Sequence, residues 1–191
     1  MAARNLQLSD HRKSITTMPH TDRLQTDCSK CAALCCVVLA FDKGEDFAFD
    51  KNPGEPCRNL SGHRCNIHEK LTQEGLKGCV AYDCLGAGNR VIQDVFGGQT
   101  WRTEPRLMRV MMEAFHGMCE VHKRIDLLRA AGTLPLKPQD EQIRCNFLDR
   151  LEDDHWSGPD LHDFEVGLAL EIDIFMHGVQ REFPTFLPES P

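Results

Sequence analysis

No stretch of this 191-residue chain is both apolar and long enough to cross a membrane. The longest apolar run, residues 31–41, has eleven residues, and a spanning helix needs about 20. The opening 22 residues are polar and hold no apolar core of a secretory signal. The chain is therefore expected in the cytoplasm, where disulfides rarely persist. A basic excess is missing as well. Residues 1–103 carry 12 acidic and 13 basic side chains, and residues 104–191 carry 17 and 9, for a net charge of −7 overall. No basic stripe remains for nucleic acid or for an anionic membrane surface, so neither is expected as a partner. Internal repeats and low-complexity segments are absent. So are a nucleophile elbow, a metalloprotease helix and a strand–glycine–helix cofactor unit. Gly86-x-Gly88 lacks the third glycine of a phosphate loop and reads as a tight turn.

Cysteine, by contrast, is abundant. There are ten, and eight of them fall between positions 28 and 84: Cys28, Cys31, Cys35, Cys36, Cys57, Cys65, Cys79 and Cys84. Clustered thiols in a reducing compartment point to metal binding or redox chemistry. Thiolates are soft donors that select zinc, copper(I) or iron–sulfur clusters over magnesium or calcium. A helix over residues 29–41 would set Cys28, Cys31 and Cys35 at roughly 0°, 300° and 340°, on one narrow face. Cys36 would then point elsewhere, to a second metal, a bridge or mere packing. Pro56-Cys57 and Gly78-Cys79 place thiols beside turn-forming residues, as structural metal loops do. Two plainer readings stand beside this one: buried free thiols, and disulfides in an exported protein. For Cys119 and Cys145, each inside a helical pattern, the core reading is preferred.

The expected fold is mainly α, a small loop-rich cysteine module packed on a helical C-terminal half of about three helices. Residues 1–22 read as a disordered polar tail, 23–103 as the metal-binding module and 104–191 as the helical region. The module is dense in turn residues and poor in core, so cross-linking must stabilise it. Apolar residues Leu107, Val110, Met111, Ala114, Met118, Val121, Ile125 and Leu128 recur at helical spacing and predict a helix over 104–131. A second is expected over 140–153 and a third over 160–181, the latter burying Phe164, Leu168, Ile172, Phe175 and Val179.

Cys28-x2-Cys31-x3-Cys35-Cys36, followed by Cys57-x2-Leu60, Cys65-x-Ile67-His68, Gly78-Cys79 and Tyr82-Asp83-Cys84, resembles the CxxCxxCC family, described as a zinc- or iron-chelating domain. The likeness spans residues 28–84 and keeps all eight cysteines in order. It departs at Ala32-Ala33-Leu34, three residues where the family name has two. Tyr82-Asp83-Cys84-Leu85-Gly86-Ala87-Gly88, Phe96-Gly97-Gly98 and Trp101-Arg102 also look like the cysteine-rich leader of some actinobacterial pentapeptide-repeat proteins, although no such repeats follow here. The flagellin lysine methylases, distant relatives of the broader family, are linked to an iron–sulfur cluster, which keeps that cofactor beside zinc and iron.

His63 and His68 flank Cys65 and are read as supporting or surface residues rather than ligands. In His116-x2-Cys119-x2-His122 the outer two lie about 120° apart on a helix, so the three cannot converge on one ion. Asp153-Asp154-His155 and His162-Asp163 read as solvated loop residues. Three functions follow. The first is a non-catalytic or accessory metal-binding protein using zinc or iron. The second is an iron–sulfur redox or group-transfer enzyme, with four thiolates holding the cluster. The third is a protein-interaction module that binds a partner through its helical half and uses the metal structurally.

Overall fold

The computed structural model describes residues 23–153 and 156–186, with Glu165 described in its backbone alone. The expected N-terminal tail, Asp154 and His155 lie outside the described residues. Those residues form seven α-helices: α1 (Leu34–Val38), α2 (Lys77–Ala81), α3 (Ala87–Arg90), α4 (Met108–Ala131), α5 (Pro138–Leu151), α6 (Gly158–Val166) and α7 (Leu168–Glu182). They also include one short antiparallel hairpin, β1 (Leu60–Ser61) and β2 (Arg64–Cys65), and short 3-10 or π turns at His68–Lys70, Val91–Val95 and Pro105–Leu107. The fold is mainly α, as expected. None of the described helices is long and apolar enough to cross a membrane.

Helix α4 is the axis. A 3-10 turn at Pro105–Leu107 leads into it, because proline suits a first helical turn, where its missing N–H costs nothing. Met111, Ala114, Phe115, Met118, Val121, Ile125 and Leu128 form its buried stripe. Helices α1, α3, α5, α6 and α7 all pack on it. Gly117 sets how closely α6 approaches: a Cβ there would lie 3.0 Å from the Leu161 Cβ.

The third predicted helix is in fact two. Helix α6 starts at a capping box, in which Ser157 and Asp160 satisfy each other's backbone N–H. It buries Leu161 and Phe164. Helix α7 then buries Ala169, Ile172, Met176 and Val179. From Phe164 to Ala169 is five residues, which on a continuous helix would turn the buried face by about 140°. The break at Gly167 (φ −125°, ψ −92°) resets the register. Leu168 and Phe175, expected inside, are only partly buried.

A larger correction concerns residues 29–41. Only Leu34–Val38 is helical, because Ala33 adopts a left-handed conformation at φ 55° and blocks continuation toward Cys28. The buried indole of Trp101 donates a 2.8 Å hydrogen bond to the Ala32 carbonyl and pins this turn. Leu34, Val37, Val38, Ala87, Val91 and Trp101 join the α4 stripe in one continuous core. The cysteine half thus leans largely on the helical half, with Leu71 and Leu76 buried apart from the shared core.

Candidate metal centre

Without the predicted helix, Cys28 and Cys31 sit in tight turns. Asp27 nucleates the first, accepting from the Ser29 N–H at 2.9 Å on its carboxylate and from the Lys30 N–H at 3.0 Å on its carbonyl. Cys31 then lies against the backbone of α3. A Cβ on Gly88 would stand 2.5 Å from the Cys31 sulfur, so glycine leaves the room that the sulfur occupies.

Cys84 reaches the same place from far along the chain. The Thr26 hydroxyl donates to the Asp83 carboxylate, accepts the Gly86 N–H at 3.0 Å and lies 3.6 Å from the Cys84 sulfur. Leu85 (φ 50°) and Gly86 (φ 77°) are both left-handed, which makes Gly86-x-Gly88 the expected tight turn. The turn is tied to α4 by His122, whose Nδ1–H donates to the Leu85 carbonyl. His122 is fully buried, and its Nε2 faces the Arg90 guanidinium at 3.4 Å. Burial, with Arg90 beside it, lowers the His122 pKa to about 4. The ring is therefore neutral and structural.

Four thiols make a first group. Burial pushes the Cys28 pKa up, and the neighbouring Cys35 and Cys84 push it further. Burial likewise raises Cys31 to about 12, with Cys35 and Cys84 adding to it. Cys35 is raised by its contact with Cys36, then by burial. Other thiols lie toward Lys51, with Cys36 and Cys57 nearest in charge interaction. Cys57 is tied to Cys36 by a 2.9 Å backbone hydrogen bond, and Cys65 stands opposite Leu60 in the hairpin that follows Cys57. Cys79, on α2, is raised by burial and by Cys57, Cys35 and Cys65. Lys51 is buried, and its ammonium donates to the carbonyls of Val37, Leu39 and Asn52. Burial lowers its pKa, and the nearby Cys57, Cys36 and Cys35 oppose that shift. The vicinal pair Cys35–Cys36 joins these thiols to the first group.

All ten cysteines are free thiols. Gathered as they are, the sulfurs do not stand at coordination spacing: among the described residues no three His, Cys, Asp or Glu side chains are placed to hold an ion. The donor set nevertheless fits a soft cation. Cysteine thiols are what a thiophilic metal converts to thiolates on binding.

The remaining candidates divide. His68 is exposed. His63 is half-buried, its ring edge-on to Trp101 at 5.9 Å, and its Nε2 is buried without a hydrogen-bond partner. Cys145 meets only Glu141 and Arg144 on its own helix. Cys119 is not simply core: it is half-buried, 3.8 Å from the Tyr82 hydroxyl and within electrostatic range of Cys84. Lys51 escaped the sequence reading altogether, since a single lysine between Asp50 and Asn52 carries no signal of burial.

No family model matches this chain, and no solved structure does. It is 41% identical over 126 residues to the uncharacterized protein YybG of Bacillus subtilis (strain 168). That alignment takes in 65% of this chain and 45% of YybG, so the chain spans less than half the length of that curated relative.

Proposed function

We propose that this chain is a metal-binding protein of the CxxCxxCC type, non-catalytic or accessory in role and working in the cytoplasm. Its ligands are Cys28, Cys31, Cys35, Cys84, Cys36, Cys57, Cys65 and Cys79. One observation carries the reading: thiols from three separated segments, residues 28–36, 57–65 and 79–84, are unoxidised and lie within electrostatic range of one another. Neighbouring thiols resist joint deprotonation because each new thiolate repels the next. A zinc ion removes that obstacle by supplying positive charge at the centre. Lys51 adds fixed positive charge near Cys57 and Cys36, and the Gly88 backbone leaves room for the Cys31 sulfur.

Iron is the alternative ion. A four-thiol group also suits an iron–sulfur cluster, which would favour a redox or group-transfer role. Anaerobic purification without an affinity-tag metal, followed by elemental analysis and a visible spectrum, tests these readings together. Stoichiometric zinc in a colourless protein supports the leading one. Iron with visible absorbance moves the conclusion to the cluster. Absence of both metals ends the proposal.

A further inference from the structure

A cavity of about 370 Å³ opens between the Cys84 turn and α4, with Leu39 and Phe115 as apolar wall and Tyr82, Cys84, His116 and Cys119 as its donor-bearing side. That volume falls within the range of small-ligand sites. Two thiols from the two halves of the protein share this one space. The Tyr82 hydroxyl lies 3.8 Å from the Cys119 sulfur, and exposed His116, one turn earlier on α4, adds an imidazole at the rim. At the same rim Lys123 and Glu120 pair at 2.7 Å and largely neutralise each other. Asp83 also lines the cavity, so the balance of charge there is negative and favours a cation over an anion.

We propose that Cys84 and Cys119 form a landing site at which an incoming soft metal ion, zinc or a close analogue, is first captured before it passes to Cys28, Cys31 and Cys35. The inference rests on the metal-binding reading above. Cys84 is the hinge of the transfer, because it lines the cavity and also belongs to the first thiol group. Capture replaces two water ligands of the ion with the two sulfurs, each thiol giving its proton to solvent. Transfer then breaks the bond to Cys119, whose sulfur takes up a proton again, while Cys28, Cys31 and Cys35 displace the ion's remaining water and release their protons. No electron moves. The ion stays on Cys84 throughout, so it is never returned to bulk water.

The test uses the full-length chain, reduced, metal-free and anaerobic, mixed rapidly with cobalt(II) while the sulfur-to-cobalt absorption is followed. Cys119→Ser is expected to take up as much cobalt as the parent chain but about tenfold more slowly, within the range that loss of a metal-site partner commonly costs. Tyr82→Phe, which keeps the thiol but frees it, should slow uptake less. Circular dichroism confirms that both variants fold. Unchanged uptake rates in both variants overturn the landing site while leaving metal binding intact. Loss of one equivalent of cobalt in Cys119→Ser also overturns it, because Cys119 would then be a resident ligand. If the parent chain takes up no cobalt and no zinc, the metal reading falls and the landing site falls with it.

Discussion

The two halves of this molecule are stabilised by different physics. In the helical half, α4 presents a continuous apolar stripe, and α5, α6 and α7 cover it, so hydrophobic burial accounts for its shape. The half that carries the eight thiols has only five-residue and shorter α-helices and one two-residue-per-strand hairpin. Its apolar residues mostly belong to the interface with α4. Its outer loops are organised by a small cluster of Phe41, Phe47 and Phe49 with Leu71 and Leu76 buried nearby in sequence, by Lys51 binding three carbonyls, and by the thiols. A region arranged in this way depends on its ligand far more than one built on leucine and methionine.

The largest expected effect breaks that contrast directly. A strong chelator applied to metal-loaded protein should speed amide exchange throughout residues 23–103 while α4 to α7 stay protected, since structural zinc commonly supplies on the order of 10 kcal/mol. Equal loosening of both halves would show that the division is false. Next comes the opposite perturbation. Phe115, 1% exposed, sits where the halves meet, and Phe115→Ala should cost about 3–5 kcal/mol in denaturant unfolding. A loss below about 1 kcal/mol would show that the site repacks and that the shared core matters less than argued here.

Acid should weaken the tie between the halves through His122. Its pKa falls from 6.5 to about 4 on folding, so the unfolded chain binds the proton first as pH drops. Its contribution is complete above pH 6.5 and is lost as pH falls toward 4, a change on the order of 3 kcal/mol. Thermal melts of His122→Gln should lack this portion of the acid dependence. Melting curves for the parent and the variant that run parallel from pH 7 to pH 4 would contradict it. The smallest effect sharpens the picture within the cysteine half. Lys51→Met leaves three carbonyls without their donor and should cost about 1–3 kcal/mol. In a competitive chelator titration, one bound ion should be released more readily and the other should be unaffected. Equal weakening of both would mean that the two thiol groups act as one.

The helical half was legible because burial has a period. Most of the α4 stripe could be read from the residues at steps of three and four, although Val110 is exposed and the buried Phe115 was missed; α5 starts two positions earlier than expected, at Pro138. The α6–α7 break escaped because Leu168 and Phe175 imitate a continuous face, and only the five-residue step to Ala169 reveals the kink. In the cysteine half, spacing alone identified the thiols but not their partners. The apparent helix before Cys35 fails at Ala33, a backbone choice that no side chain announces. Cys119 looked like core because half-buried helical thiols usually are, and only the fold brings Tyr82 and Cys84 to it.

The central claim is that cysteine sulfur surrounds the bound ion, and X-ray absorption at the metal edge of the purified protein tests it most directly. Four sulfur neighbours at about 2.3 Å are predicted. A first shell made of nitrogen and oxygen alone would contradict the account.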